Sequence, residues 1–237
     1  MPTTRPKTTT LNFAPALKFL RSLKRNNDRE WFNARKEAFL EDVQTPFLEL
    51  IDSLNRDLPP DFVRPAKKIA LRIYRDTRFS NNKLPYKTNL AAWWARVGME
   101  KTSGAGFYLS ISPSEVMIAA GIYMPQRDQL LALRRAIADD PTTYRKALED
   151  KKLRRLMPGF DTNPLTRVPK GFDADHPAAD LLRCRQYGAS ATLPAEAALA
   201  PNFRNEILKY LKAATPLVTL LNTPLLQTRP AARKTLF

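Results

Sequence analysis

The order of helical and strand-like patterns limits the fold of this chain more than any other feature of its sequence. Three regions carry apolar residues at helical spacing, namely residues 15–54, 125–156 and 201–221. Between the first two lie an alternating run at residues 67–76 and a longer β-type region at residues 106–124. Helices and strands do not alternate regularly, which disfavours a parallel βαβ arrangement. The order predicts an α+β fold in which an antiparallel or mixed β-sheet is flanked by N- and C-terminal helices.

The β-type region predicts an antiparallel hairpin, because residues 106–112 and 115–124 are separated only by a Pro-Ser dipeptide. Tyr108 is expected on one face of the first hairpin strand. Gly121 interrupts the second strand, which is typical either of a β-bulge or of a close approach by backbone or ligand. Residues 90–98 fit a short strand or a short helix equally well.

Strict alternation in residues 67–76 predicts a further strand with one charged face. Arg72, Tyr74 and Asp76 would lie along that face at steps of about 7 Å. Near the N-terminus, Asn27 followed by Glu30 three residues later is typical of a capping box, which would start a second helix at Asp28.

Length and composition favour one domain. The 237 residues are expected to form a disordered leader (1–10), a single α+β domain (11–221) and a basic tail (222–237). A single cysteine excludes a disulfide framework and a cysteine-rich metal site, and no cofactor or metal is expected. There is no run of eighteen apolar residues and no apolar signal region, so we expect a cytoplasmic protein without a membrane partner.

Residues 67–88, called the basic segment below, contain seven basic residues and one acid, Asp76. The basic residues are Lys67, Lys68, Arg72, Arg75, Arg78, Lys83 and Lys87. Such a group repels itself unless an anion or buried carboxylates gather it. The formal net charge of +16 also makes acidic partners plausible, although it serves solubility equally well.

The basic segment therefore predicts a site for a phosphorylated or other anionic ligand. Arginine is the planar bidentate partner of oxyanions, and tyrosine adds hydrogen bonds or stacking. The predicted ligand-binding residues are Arg72, Tyr74, Arg75, Arg78, Ser80, Lys83, Tyr86, Lys87, Tyr108 and Arg134.

Arg134 is included because it falls on the apolar stripe of its helix, where an inward guanidinium needs an anion, an acid or a path to solvent. The two candidate catalytic residues are Asp76 and His176. His176 lies near Asp173 and could act as a general base, but an Asx-turn leading into a helix explains the same residues. The familiar nucleotide-binding and catalytic motifs are absent, and the sequence leaves catalysis and oligomeric state undecided.

Two other functions fit the same residues. In a nucleic-acid-binding protein, the basic segment, Trp93, Trp94 and the basic tail would follow a phosphate backbone. In a scaffold protein, the basic segment would be an internal fastener paired with distant carboxylates.

Four segments resemble one known family. They are NNDREWFNARKEAF at 26–39, RIYRDTRFSNNKLPYKT at 72–88, AAGIYMP at 119–125 with LRRAI at 133–137, and the region from PKGFDADHP to LLRCRQY at 169–187. In these segments the chain resembles the domain of unknown function 2461 family, over about residues 11–220. The resemblance implies a single α+β domain, and it implies no established reaction, cofactor or catalytic residue.

Overall fold

The fold is α+β, as the order of patterns predicts, with helices packed against one four-stranded antiparallel sheet. The computed structural model describes residues 11–78, 81–99 and 104–227. The predicted leader and most of the predicted tail lie outside the described residues, as does Ser80.

The sheet has the order β1-β2-β3-β4, so each strand pairs with its neighbour in sequence. The strands are β1 (Leu90–Ala95), β2 (Gly106–Ile111), β3 (Glu115–Ile122) and β4 (Tyr187–Pro194). The predicted hairpin is confirmed as β2 and β3, and residues 90–95 form a strand. The sequence patterns did not predict β4.

The helices lie before β1, between β3 and β4, and after β4. The α-helices are α1 (Ala14–Arg25), α2 (Arg29–Asn33), α3 (Lys36–Phe39), α4 (Thr45–Asn55), α5 (Ala66–Ile69), α6 (Arg127–Asp139), α7 (Pro141–Leu148), α8 (Lys151–Leu156), α9 (Ala179–Arg183) and α10 (Phe203–Gln227). A π-helical turn spans Leu40–Gln44, and short 3-10 helices span Pro60–Phe62 and Ala195–Leu199.

The C-terminal helix, α10, continues past the predicted end at residue 221 and contains Pro216 and Pro224. An interior proline removes one backbone hydrogen bond, but α10 also buries Leu217, Leu221 and Leu225 in the core. Burial of each such side chain contributes about 1.5–3 kcal/mol, which offsets the cost of the prolines. Among the described helices, none combines the length and apolar character that a membrane crossing requires.

The two faces of the sheet differ in what covers them. One face carries Trp94, Leu109 and Ile118, all fully buried in the hydrophobic core. The opposite face carries Trp93 and Tyr108, which are directly paired across β1 and β2 and are only partly buried. We call this second face the open face. Tyr108 thus lies on the face of β2 opposite to the core.

The strand predicted at residues 67–76 is wrong. Residues Ala66–Ile69 form the short helix α5, which follows Pro65 at its N-cap. The chain then runs beside β1 through the single bridge between Ala70 and Ala92, and it meets its own return path through the bridge between Tyr74 and Tyr86. Two isolated bridges do not make a regular strand.

The predicted capping box at Asn27 and Glu30 is also wrong. Asp28 is the N-cap of α2, and its carboxylate accepts a hydrogen bond from the Trp31 backbone N–H at 2.8 Å. The Asn27 side chain is free of that role and bonds elsewhere, to the backbone of Tyr86.

Candidate functional site

A groove with a volume of about 190 Å³ lies between the N-terminal helices and the start of the basic segment. Its apolar walls come from α2, α3, α4 and residues 70–73. The residues that line it are Phe32, Lys36, Phe39, Leu40, Gln44, Phe47, Leu48, Ala70, Leu71, Arg72, Ile73, Tyr74, Asn89 and Leu90. The groove therefore joins the predicted site residues Arg72 and Tyr74 to helical residues that the sequence analysis did not select.

The π-helical turn Leu40–Gln44 forms part of one wall. In this turn the Thr45 backbone N–H donates to the Leu40 carbonyl, five residues earlier. Pro46 follows directly; it lacks an N–H and its ring would clash with the carbonyl of Asp42 in an α-helix, so the wider turn relieves that clash. Single π turns often occur at functional sites, and this one places Leu40 and Gln44 at the groove.

An aromatic stack supports the other wall. The rings of Phe32 and Tyr86 are parallel, with centroids 4.1 Å apart, and Tyr74 lies 5.3 Å from Tyr86. Tyr86 is 2% exposed, and this burial is the main cause that raises the pKa of its phenol. Tyr74 is 48% exposed and lines the groove. Tyr86 thus acts as a support, whereas Tyr74 presents a ring to any ligand.

Asn27 fixes this stack against α2. Its side-chain amide donates to the Tyr86 carbonyl at 3.1 Å, and its amide oxygen accepts from the Tyr86 N–H at 3.0 Å. The Lys87 N–H donates to the Ile73 carbonyl at 2.8 Å, which ties the first arm of the basic segment, residues 67–75, to its second arm, residues 85–88. These hydrogen bonds hold the basic segment against the start of α2 and fix this wall of the groove.

Two cations stand at the rim of the groove, Lys36 from α3 and Arg72 from the basic segment. Both are exposed, and within the described residues neither forms a hydrogen bond or an ion pair. None of the residues that line the groove is acidic. The groove thus combines two cations that form no ion pair among the described residues with an apolar and aromatic interior, which suits an anion attached to an apolar body.

Sequence reasoning missed Lys36, although a signal was present. Phe32, Lys36 and Leu40 are spaced four residues apart, which places Lys36 on the same side of the helical region as two apolar residues. Nothing in the sequence indicates that Arg72, thirty-six positions later, shares the groove with Lys36.

Asp76 does not face a shielded pocket but braces a loop. Its two carboxylate oxygens accept from Nε and Nη2 of Arg78 at 3.0 and 2.8 Å. Lys83 donates from Nζ to the Thr77 carbonyl at 3.0 Å and closes the same loop. The side-chain and backbone hydrogen bonds from Arg78, with a smaller contribution from the charge of Arg72, lower the pKa of Asp76 to about 2. Asp76 is therefore ionised at neutral pH.

This carboxylate and three others predict a loss of stability in acid. Hydrogen bonds lower the pKa of four aspartates from the usual 3.8: bonds from arginine or lysine side chains at Asp57, Asp76 and Asp180, and bonds from the side chain and backbone of Thr143 at Asp140. A carboxyl with a lowered folded pKa stabilises the fold above its unfolded pKa, and that contribution is lost as pH falls through the folded pKa. We expect the urea midpoint to fall between about pH 4 and pH 2. A midpoint that stays constant over that range would contradict these pKa shifts.

Arg134 points inward, as its position on the apolar stripe of α6 predicts. It is 9% exposed, and its Nη2 donates to the Cys184 carbonyl at 3.0 Å. Its Nε is buried and has no partner within the described residues. Arg134 therefore ties α6 to the end of α9, and it does not line the groove.

His176 belongs to a local turn. Its Nδ1 accepts from the Ala178 N–H at 3.0 Å, and the Asp173 carboxylate accepts from the Asp175 N–H at 3.0 Å. These contacts support the alternative of an Asx-turn before α9. Asp180 is held by Arg145 at 2.7 Å. A catalytic role for His176 remains a prediction.

Three comparisons bear on identity. A family model described as "Conserved hypothetical protein (DUF2461)" matches residues 15–220, which is most of the chain. The chain belongs to the DUF2461 family. Searches of the curated proteins and of the solved structures gave no match. Among the described residues of this DUF2461 chain, no group of three or more His, Cys, Asp or Glu side chains is placed to hold a metal ion.

Proposed function

We propose that this protein binds a small anionic ligand in the groove between α3 and the basic segment. Arg72 and Lys36 hold the anionic group, a phosphate or a carboxylate, at the rim. The observation that carries the proposal is the pair of cations on a groove with no acidic lining residue.

The rest of the ligand enters the apolar part of the groove. Phe39, Phe47 and Leu90 line this part and are buried in the core, so an inserted apolar group loses contact with water. Each buried methylene-sized group contributes about 0.8 kcal/mol. The volume of about 190 Å³ is below the range of typical drug-sized sites, so the inserted group is small.

Asp76, Arg78 and Lys83 brace the chain beyond the groove and do not themselves hold the ligand. Asp76 already binds Arg78, and Lys83 already donates to Thr77. The proposed anion site is therefore smaller than the one predicted from sequence. It uses the first arm of the basic segment and adds Lys36 from α3.

Thermal unfolding with phosphate, acetate, phenylphosphate and benzoate tests the proposal. A ligand at about a hundred times its dissociation constant stabilises the folded state by about 2.7 kcal/mol, or roughly 5–10 °C for a chain of this size. Arg72→Gln and Lys36→Gln should each weaken binding by about ten- to a hundredfold, because each removes a charge-assisted hydrogen bond of about 1.5–3 kcal/mol.

Lys68→Gln is the matched control. Lys68 is an exposed cation of the same basic segment, it lies on α5, and it does not line the groove. Its replacement removes the same charge from the protein and should leave the dissociation constants unchanged. Equal losses for Lys68→Gln and Arg72→Gln would show non-specific attraction by net charge, and the absence of any shift would refute an anion site.

A further inference from the structure

The open face of the sheet carries a second surface with the character of a binding site. Trp93, Tyr108, Ala119 and Ser190 are paired in register across the four strands and form one row on this face. All four are partly exposed. The row therefore places an indole, a phenol, a small residue and a hydroxyl side by side, on strands about 4.8 Å apart.

This row does not belong to the hydrophobic core. The core includes Trp94 and Ile118 from the opposite face, but it includes neither Trp93 nor Ala119. Trp93 and Tyr108 thus leave aromatic surface in contact with solvent, although neither has a packing role in the main core. Aromatic side chains on an otherwise small-residue sheet face are the arrangement that proteins use to stack planar rings.

Packing against Gly106 positions the Trp93 indole, and no hydrogen bond from its Nε1 does so within the described residues. Its six-membered ring lies over Gly106, where an added Cβ would come within 2.9 Å of Cζ2. Its Nε1 is buried and has no acceptor within the described residues. A buried donor without a partner costs about 1–3 kcal/mol in a folded protein.

Positive charge borders this face at β1. The Leu71 N–H donates to the Ala91 carbonyl at 2.7 Å, so the basic segment runs along the edge strand that carries Trp93. Within the described residues, Lys67, Lys68 and Arg75 form no ion pair. A chain of phosphates that passes the edge of β1 would therefore meet cations that no ion pair among the described residues occupies.

We propose that the open face binds single-stranded nucleic acid, with bases stacked on Trp93 and Tyr108 and phosphates along the first arm of the basic segment. Trp93 and Tyr108 do not line the groove, so the two sites share only the first arm of the basic segment. A second copy of this chain is disfavoured as the occupant, because each copy brings a net charge of +16 to the interface. A duplex is disfavoured too, since its bases are stacked on one another and offer no free ring face to the protein.

The test is the binding of a fluorescein-labelled twelve-nucleotide oligothymidylate and oligouridylate, measured by anisotropy at 50 and 200 mM salt. Trp93→Leu and Tyr108→Leu keep apolar volume and remove the aromatic ring, and each should weaken binding by about five- to a hundredfold. With about five phosphates neutralised, affinity should fall roughly a hundredfold between the two salt concentrations.

Tyr123→Leu is the matched control, because Tyr123 is 63% exposed and lies in the turn after β3, outside the row. Its replacement should leave affinity unchanged. Quenching of tryptophan fluorescence by the oligonucleotide, abolished in Trp93→Leu, gives a second readout that does not depend on affinity. If Trp93→Leu fails to fold, Tyr108→Leu and the quenching of wild-type fluorescence decide the question.

No binding at 50 mM salt, or equal affinity in Tyr108→Leu and Tyr123→Leu, would overturn the proposal. Concentration-dependent dimerisation that Tyr108→Leu abolishes would overturn it in favour of a second copy as the occupant. Lys36→Gln, which acts in the groove, should leave oligonucleotide binding unchanged, so a failure of the groove proposal and a failure of this one are distinguishable.

Discussion

Gly121→Ala should destabilise the protein by about 4 kcal/mol or more, a large fraction of the 5–15 kcal/mol that holds a typical domain folded. Gly121 has a φ of 139°, a conformation that residues with a Cβ rarely adopt. An added Cβ would also come within 2.2 Å of the Tyr187 carbonyl oxygen and 2.5 Å of the Gly188 Cα. Both atoms are backbone of β4, so the clash is relieved only if β3 and β4 separate.

Gly171→Ala separates the effect of backbone strain from the effect of the steric clash. Gly171 has a φ of 92°, but an added Cβ would have no neighbour within 4 Å. This variant carries backbone strain alone and should lose about 1–3 kcal/mol. Urea unfolding, followed by far-ultraviolet circular dichroism, gives both free energies of unfolding. Equal losses in the two variants would show that the close approach of β3 and β4 contributes nothing.

Asn222→Ala should cost about 3–5 kcal/mol, the second large effect. Asn222 lies on α10 and is fully buried. Its Oδ1 accepts from the Ala105 N–H at 3.0 Å, and its Nδ2 donates to the Ala105 carbonyl at 3.0 Å. Truncation leaves both backbone groups buried without partners at the start of β2, and each such group costs about 1–3 kcal/mol.

Thr223→Ala is the control for Asn222→Ala. Thr223 is the next residue on α10, it is exposed, and its hydroxyl donates only to the Thr219 carbonyl of the same helix. Its replacement should change the free energy of unfolding by less than about 0.5 kcal/mol. Thermal unfolding of both variants gives the comparison. A small loss of unfolding free energy in Asn222→Ala would mean that water reaches the Ala105 backbone.

Asn222 also shows where prediction from sequence stops. It lies in the segment assigned to a basic tail, which Pro224 interrupts, whereas Pro216 falls inside the predicted helical region 201–221. The apolar side chains around those prolines are buried against the sheet, and this tertiary packing outweighs the local preference. Without the partner backbone at Ala105, the polar side chain of Asn222 has no visible reason to be buried.

Strand prediction succeeded where alternation and turn residues agreed, and it failed elsewhere. The β2–β3 hairpin has both signals. Residues 67–76 have the alternation, but Pro65 starts a short helix and the chain then pairs with β1 at one bridge only. β4 is rich in Gly, Ala and Ser, so its strand structure depends on pairing with β3, which no local pattern reveals. The sequence also left open why Gly121 interrupts a strand. The pairing register continues through Gly121 on both sides, so a close approach of the backbones explains this glycine and a β-bulge does not.

The sequence indicated which chemical kind of site to expect, but it did not indicate which residues of the basic segment line the groove. The excess of basic residues and tyrosines pointed to residues 67–88, and the structure divides that segment among three roles. Asp76 and Arg78 brace a loop, Tyr86 supports the aromatic stack, and Arg72 reaches the groove. Such a division depends on which residues lie across from one another in space, and one sequence does not contain that information.

Each outer strand of the sheet is paired at one position with another part of the chain, through the bridge of Ala70 to Ala92 on β1 and that of Gly159 to Ser190 on β4. A bare edge strand offers unpaired N–H and C=O groups to other chains and so promotes aggregation. The backbone of the basic segment thus shields part of the β1 edge, and its like charges repel the same segment of another copy. Single side chains of the basic segment can be replaced to study binding. Deletion of the whole segment, in contrast, would expose the β1 edge and promote self-association.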